Sequence, residues 1–283
     1  MINFQTFHIQ LIFAIYDYAE VIFIKINNYR ELSEARNYKV VKANELIQQS
    51  RFNLQAQEQK IILYLISKIK SEDIELKEHT FEIKDFCKVC GLDDDNGKNY
   101  KNIKDALKGI NDKSIWISLE NGKEAILQWF DYVIMDPRGG VVNIKISDRM
   151  KPYLLQLEKR FTEYQLLYTL GMKSQYSIRL YELLKSYEFR HKKLFEIEEL
   201  KMRLSAEIYN RFPDFRRYVL ESAVNEINRL SDLTVTYDLI KESRKYTKVE
   251  FSMKRKEDLD ERIETLANIN EIINSKKKLR GTT

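Results

Sequence analysis

The chain has 283 residues, 43% of them hydrophobic and 32% charged, which supplies two folded cores and excludes a disordered chain. A net charge of +5 is mildly basic, admitting a nucleic-acid partner without requiring one. Only eight Gly and three Pro imply short loops and many helices, and the two cysteines, Cys87 and Cys90, exclude a disulfide-stapled scaffold.

Residues 1–36 read as an N-terminal extension. Its apolar stretch 11–24, LIFAIYDYAEVIFI, is interrupted by Asp17 and Glu20 and is shorter than the roughly 20 residues of a membrane span. It lacks the basic lead-in and cleavage pattern of a signal peptide. It either docks on the body or a partner, or is translated upstream sequence without a role; the expectation is a cytoplasmic protein with no membrane partner.

A first domain is expected over 37–150. A short alternating stretch, 38–41, leads to a helix over 45–49 capped by Asn44, then a long amphipathic helix over 54–69 carrying Ile61, Ile62, Leu65 and Ile69. A strand over 81–83 precedes a small helix over 84–90 that holds both cysteines and ends at Gly91. After the polar loop 92–98 comes a helix over 99–111, with Ile103, Leu107 and Ile110 inside and Lys101, Lys104 and Lys108 outside. Strands follow over 115–119, 126–135 and 141–146, the first turn being Asn121-Gly122 and the second 137–140.

A second domain is expected over 151–254. It opens with a helix over 152–159 led by Pro152 and a helical or extended connection over 161–170. Ser174 caps a long helix over 175–188, a strand over 194–197 follows, and another helix starts at Glu198. The stretch 212–230, FPDFRRYVLESAVNEINRL, then places Phe215, Val219, Leu220, Ala223, Ile227 and Leu230 on one helical face. At about 100° per residue, the opposite face carries Arg217, Tyr218, Glu221, Asn225, Asn228 and Arg229. Arg suits guanine, Asn suits adenine and Glu accepts from cytosine, so this face fits base edges; taken alone, it fits an ordinary solvated face better still, since such faces are common. The alternating stretch 233–253 forms two strands, with Lys241, Arg244, Lys245 and Lys248 around the turn. A helix followed by a basic hairpin is the outline of a winged helix, and with Arg216 these cations are candidate contacts to the DNA backbone. Residues 255–283 are a charged tail, read as a terminal helix with a basic end at Lys276, Lys277, Lys278 and Arg280.

Three landmarks recur in order at near-constant spacing: Leu63-Tyr64 with Leu180-Tyr181, Phe81-Glu82-Ile83 with Phe195-Glu196-Ile197, and Ala106 with Ile110-Asn111 against Ala223 with Ile227-Asn228. The fold class expected is therefore α+β: tandem duplicated winged-helix domains, helix-rich, with short antiparallel hairpin wings. The second domain carries the base-reading set. The first offers Lys101, Lys104 and Lys108, point charges suited to phosphate, on a helix that is otherwise simply solvated.

Other chemistry finds little support. Gly91, Gly97 and Lys98 miss the phosphate-loop spacing, and three Asp between them would repel phosphate. His8, His79 and His191 are scattered, and no nucleophile–base set emerges by spacing. Cys87 and Cys90 lack a second ligand pair, so buried thiols are expected, with a metal or disulfide shared across a dimer as the alternative. No cofactor, metal or catalytic residue is assigned, and the chain is read as a non-enzyme.

The runs VVKANELIQQSRFNLQAQEQKIILYLISKI (40–69), FTEYQLLYTLGMKSQYSIRLYELLKSYE (161–188) and DFRRYVLESAVNEINRLSDLTVTYDLI (214–240) resemble the iteron-binding plasmid replication initiators, the Rep proteins with two winged-helix domains. The resemblance spans about 38–253. It implies a second domain that binds direct repeats (iterons) in double-stranded origin DNA, with the 214–230 helix in the major groove. It implies a first domain that mediates self-association and, in the monomer, touches DNA. Monomers would start replication by recruiting the host replication initiator and replicative helicase, and dimers would repress the protein's own gene. A winged-helix transcriptional repressor without initiator activity is the alternative.

Overall fold

Two buried helices organise the fold, the first predicted by its apolar spacing and the second by its serine cap. Helix α2 (Ala56–Ile66) starts at a capping box in which the Gln55 N–H donates to the Glu58 carboxylate at 2.6 Å. Helix α7 (Gln175–Lys185) starts at Ser174, whose hydroxyl accepts from the Tyr176 N–H at 3.1 Å, as the sequence predicts. Ile61, Leu65, Ile178, Leu180 and Leu184 are fully buried, each contributing about 1.5–3 kcal/mol. The two helices pack together, and Gln59 of α2 donates to the Gln175 carbonyl at 3.1 Å. This computed structural model describes residues 38–89, 98–119, 122–136 and 138–278. The expectations for 1–36, Cys90, the 91–97 loop, Asn121 and Arg280 lie outside the described residues.

The internal repeat is present in the chain path. In the first unit, strand β3 (Glu78–Glu82) is followed by α3 (Ile83–Val89), α4 (Lys98–Asn111) and the hairpin β6 (Phe130–Asp136) and β7 (Val141–Ile146), in sheet order β3-β7-β6. In the second, β9 (Lys192–Glu196) is followed by α8 (Ile197–Leu204), a composite helix over 212–230, and the hairpin β10 (Leu233–Glu242) and β11 (Lys245–Arg255), in order β10-β11-β9. In both, the last hairpin strand sits centrally and pairs with the short first strand. The first unit adds a small sheet, β2 (Ser50–Arg51), β4 (Ile115–Ser118) and β5 (Glu124–Leu127).

That added sheet corrects one expectation. The predicted strand over 126–135 is broken at Gln128-Trp129. Trp129 and Phe130 are adjacent and both buried, which a two-residue alternation cannot provide. The chain bends there so that the indole packs edge-on to Phe52, ring centres 5.2 Å apart. Asn44 is a second correction. Helix α1 (Asn44–Gln48) has no side-chain cap, and the Asn44 carboxamide oxygen instead accepts from Thr162 at 2.6 Å. The helix expected over 152–159 is a single turn, α5 (Lys151–Leu154).

The connection at 161–170 resolves into strand β8 (Phe161–Gln165) and helix α6 (Leu167–Leu170). β8 pairs antiparallel with β1 (Lys39–Ala43), Val41 lying opposite Glu163. Each of these strands opens its unit and leads through a short helix to α2 or α7, so the two copies meet through equivalent strands, as the halves of a symmetric dimer would. Beneath this join lies a buried polar cluster. Lys42 pairs with Glu182, and the Tyr164 hydroxyl donates to Glu182 at 2.5 Å. Arg179 donates to the Ser50 carbonyl at 2.7 Å and lies 4.5 Å over the Phe52 ring. Burial lowers the Lys42 pKa, pulls Arg179 down to about 10 and pushes Tyr164 well up. Cys87 is buried in α3.

Candidate nucleic-acid interface

The composite helix begins with α9 (Phe212–Phe215), where Pro213 sits in the first turn. It continues as a π-helical segment (Arg216–Glu221) and ends as α10 (Ser222–Leu230). Phe215, Val219, Leu220, Ala223 and Ile227 are fully buried, as their spacing predicts. The π segment is not legible in that spacing. Its i→i+5 bonding brings Arg216 against Glu221 at 2.8 Å, and Arg216, Arg217 and Tyr218 lie exposed between buried Phe215 and Val219. Single π turns inside α-helices are frequent at functional sites.

The sequence-derived base-reading set divides in two. Arg217, Tyr218 and Asn225 are exposed, with Glu221 half-buried beside them. The Arg217 guanidinium lies 5.4 Å from the Tyr218 ring centre. Tyr218 stacks on Tyr209 at 6.0 Å, and Tyr209 meets Tyr176 edge-on at 5.9 Å, so a row of rings buttresses this half of the helix. Asn228 is different. Its Oδ1 accepts from the Val235 N–H at 2.6 Å and its Nδ2 donates to the Val235 carbonyl at 2.9 Å, which takes it out of the base-reading set. Arg229 is exposed but ion-paired with Glu271 at 3.4 Å.

The wing carries the backbone candidates. Lys241, Arg244 and Lys245 are exposed at its tip, beside a bulge at Ile240/Lys241 and a left-handed Ser243 (φ 58°). Tyr246 stacks on Phe212 at 4.8 Å and lies under Lys241 at 4.6 Å, which couples the wing to the start of the helix. Lys248 is half-buried between Glu242 at 2.7 Å and Glu196 at 3.5 Å, and is already neutralised. In the first unit, Lys101, Lys104 and Lys108 are exposed along α4 over buried Ile103, Leu107 and Ile110; Lys108 lies 3.8 Å from Asp112.

The family model described as "Initiator Replication protein, WH1" matches residues 39–185, and that described as "Initiator Rep protein, WH2" matches 196–253. The chain belongs to the initiator replication protein family. It is built of two winged-helix domains, α+β, as the internal repeat predicts. Among curated relatives, an Escherichia coli PI protein is 29% identical over 152 residues, 47% of this chain and 49% of that protein. An E. coli replication initiation protein is 29% identical over 211 residues, 70% of this chain and 65% of that protein. The chain thus spans from about half to just under two thirds of these relatives. The crystal structure of Pi initiator protein in complex with iteron DNA shares the fold at a TM-score of 0.64 and 23% identity, covering 78% of this chain and 99% of that one.

The spacing of the sequence does not reveal Tyr209, Tyr176, Phe212 and Tyr246, which buttress the candidate interface. Their signal is only that aromatics flank the helix and the wing; nothing in their spacing pairs them. Among the described residues, no helix is long and apolar enough to cross a membrane, and no cluster of His, Cys, Asp and Glu suits a metal ion.

Proposed function

We propose that this initiator-family chain is a plasmid replication initiator that binds direct repeats at a double-stranded origin through its second unit. The observation that carries the reading is the exposed row Arg217, Tyr218 and Asn225, with half-buried Glu221 among them, on a helix whose other face is fully buried, joined through Phe212–Tyr246 to a wing tip bearing Lys241, Arg244 and Lys245. Arg217 and Asn225 would take base edges in the major groove, and the wing tip and Arg216 would take phosphate. Lys101, Lys104 and Lys108 of the first unit would add backbone grip. The domain boundaries proposed are 37–150 and 151–254. The PI and replication initiation relatives, and the iteron DNA in the Pi structure, support this assignment. Non-enzymatic action, self-association through the first unit, repression of its own gene by the dimer and recruitment of the host initiator and helicase belong to the same proposal.

The test is a mobility-shift titration of the full chain, at two salt concentrations, on DNA flanking its own gene with scrambled duplex as competitor. Direct-repeat binding gives a salt-sensitive, sequence-selective ladder, one step per repeat. One shifted band on an inverted repeat alone points to a repressor, and no shift at low salt removes the DNA reading.

A further inference from the structure

Helix α11 (Leu259–Lys278) lies outside both matched spans, yet it is built onto the composite helix. Ile269 is fully buried and Thr265 nearly so. The Lys256 ammonium bridges the join, donating to the Thr265 hydroxyl at 2.9 Å and to the Asn228 carbonyl. Between α10 and α11 runs a groove of about 350 Å³, with Asn225 and Arg229 on one wall and Glu261, Glu264 and Asn268 on the other. Further along, Glu271 holds Arg229 at 3.4 Å. The composite helix therefore has two halves. The first exposes Arg217 and Tyr218, with Arg216 paired to Glu221 beside them; the second faces Glu261 and Glu264 of α11 across a groove that also holds Arg229 and the Lys256 ammonium.

We propose that Glu261, Glu264 and Glu271 are specificity determinants: they withhold Arg229 from DNA and repel phosphate from the second half of the helix, so that duplex docks against the Arg217 half, with Asn225 at its boundary with the groove. The inference rests on the DNA-binding reading above. Its physics is short-ranged. At physiological ionic strength, exposed charges act over about 8–10 Å, which reaches phosphates crossing the groove far more than those beside Arg217. Non-specific binding consists almost wholly of phosphate contacts, whereas a specific complex also has its base contacts. Carboxylates beside the helix thus penalise wrong registers and wrong sequences more than the right one.

The experiment compares the full-length chain with E261Q/E264Q/E271Q and with E72Q/E75Q, which removes two exposed carboxylates of the first unit. Affinities for gene-flanking and scrambled duplex are measured over a salt series, with circular dichroism to verify folding. The triple variant is expected to bind scrambled DNA about five- to tenfold tighter at low salt, with a salt slope steeper by about one, the signature of one added phosphate contact. Affinity for the flanking DNA should change less, so the specificity ratio falls. Adding Arg229→Ala to the triple variant should return the slope to its original value. Should the triple variant fold poorly, E271Q alone, at an exposed position, must still steepen the slope. Unchanged scrambled binding and slope, or an equal gain in E72Q/E75Q, overturns the proposal while leaving DNA binding intact. An unmodified chain that fails to bind DNA at all overturns the DNA-binding reading, and the proposal with it.

Discussion

Replacing Asn228 by Ala separates a base-reading asparagine from one that holds the wing in place. Among the described residues β10 is an edge strand paired with β11, and both backbone groups of Val235 are satisfied by the Asn228 carboxamide, at 2.6 and 2.9 Å. Removing that carboxamide deletes two hydrogen bonds, each with a net worth of about 1 kcal/mol, and leaves the Val235 N–H and C=O to find water. The expected loss is about 2 kcal/mol, or roughly a thirtyfold shift in the folding equilibrium. The assay is urea denaturation followed by circular dichroism, paired with DNA titrations at a salt where the protein remains folded. Asn228→Ala should lower the midpoint without changing the denaturant slope, and should weaken matched and scrambled DNA alike. Asn225→Ala, at an exposed position of the same helix, should leave stability within about 0.5 kcal/mol and cost about 1–3 kcal/mol on matched DNA alone. If Asn228→Ala were as stable as the parent and lost base preference, Asn228 would be a reader and the structural assignment would be wrong.

Arg217→Ala should cost about 1–3 kcal/mol on matched DNA and relax base preference at one position, read by titration against single-base variants of the site. Lys245→Ala should weaken all sequences evenly and lower the salt slope by about one, whereas Lys248→Ala, already paired with Glu242 and Glu196, should leave the slope nearly unchanged. Lys42→Ala strands Glu182 beneath the β1–β8 join and should cost about 3–5 kcal/mol in denaturation, while replacing both partners with apolar residues should recover much of it. Burial lowers the His79 pKa, with Asp73 partly offsetting it. The unfolded chain then binds the proton more readily, so the His79 contribution is complete above the ordinary histidine pKa and is lost as pH falls through the lowered folded value. A His79→Gln variant should show a flatter decline in stability over that acid range, measured by thermal melts.

What the sequence determined by itself was set by local periodicity and capping. The spacing of Phe215, Val219, Leu220, Ala223 and Ile227 settles which face of the 212–230 helix is buried, because a helix must hide its apolar stripe wherever it packs. Ser174 settles where α7 begins, since a serine hydroxyl there meets an orphan N–H. The repeated Phe-Glu-Ile and Leu-Tyr landmarks expose the duplication, because each copy reuses the same packing positions. Tertiary structure decided the rest. A uniform 100° wheel presumes i→i+4 bonding, so it cannot show the π segment at Arg216–Glu221, where Arg216 pairs with Glu221 five residues on. Asn228 looks like a reader until β10 arrives beside it, and Arg229 until α11 folds back with Glu271. β1 and β8 hold no local sign of each other, because strand pairing across more than a hundred residues is chosen by the whole core and not by either strand.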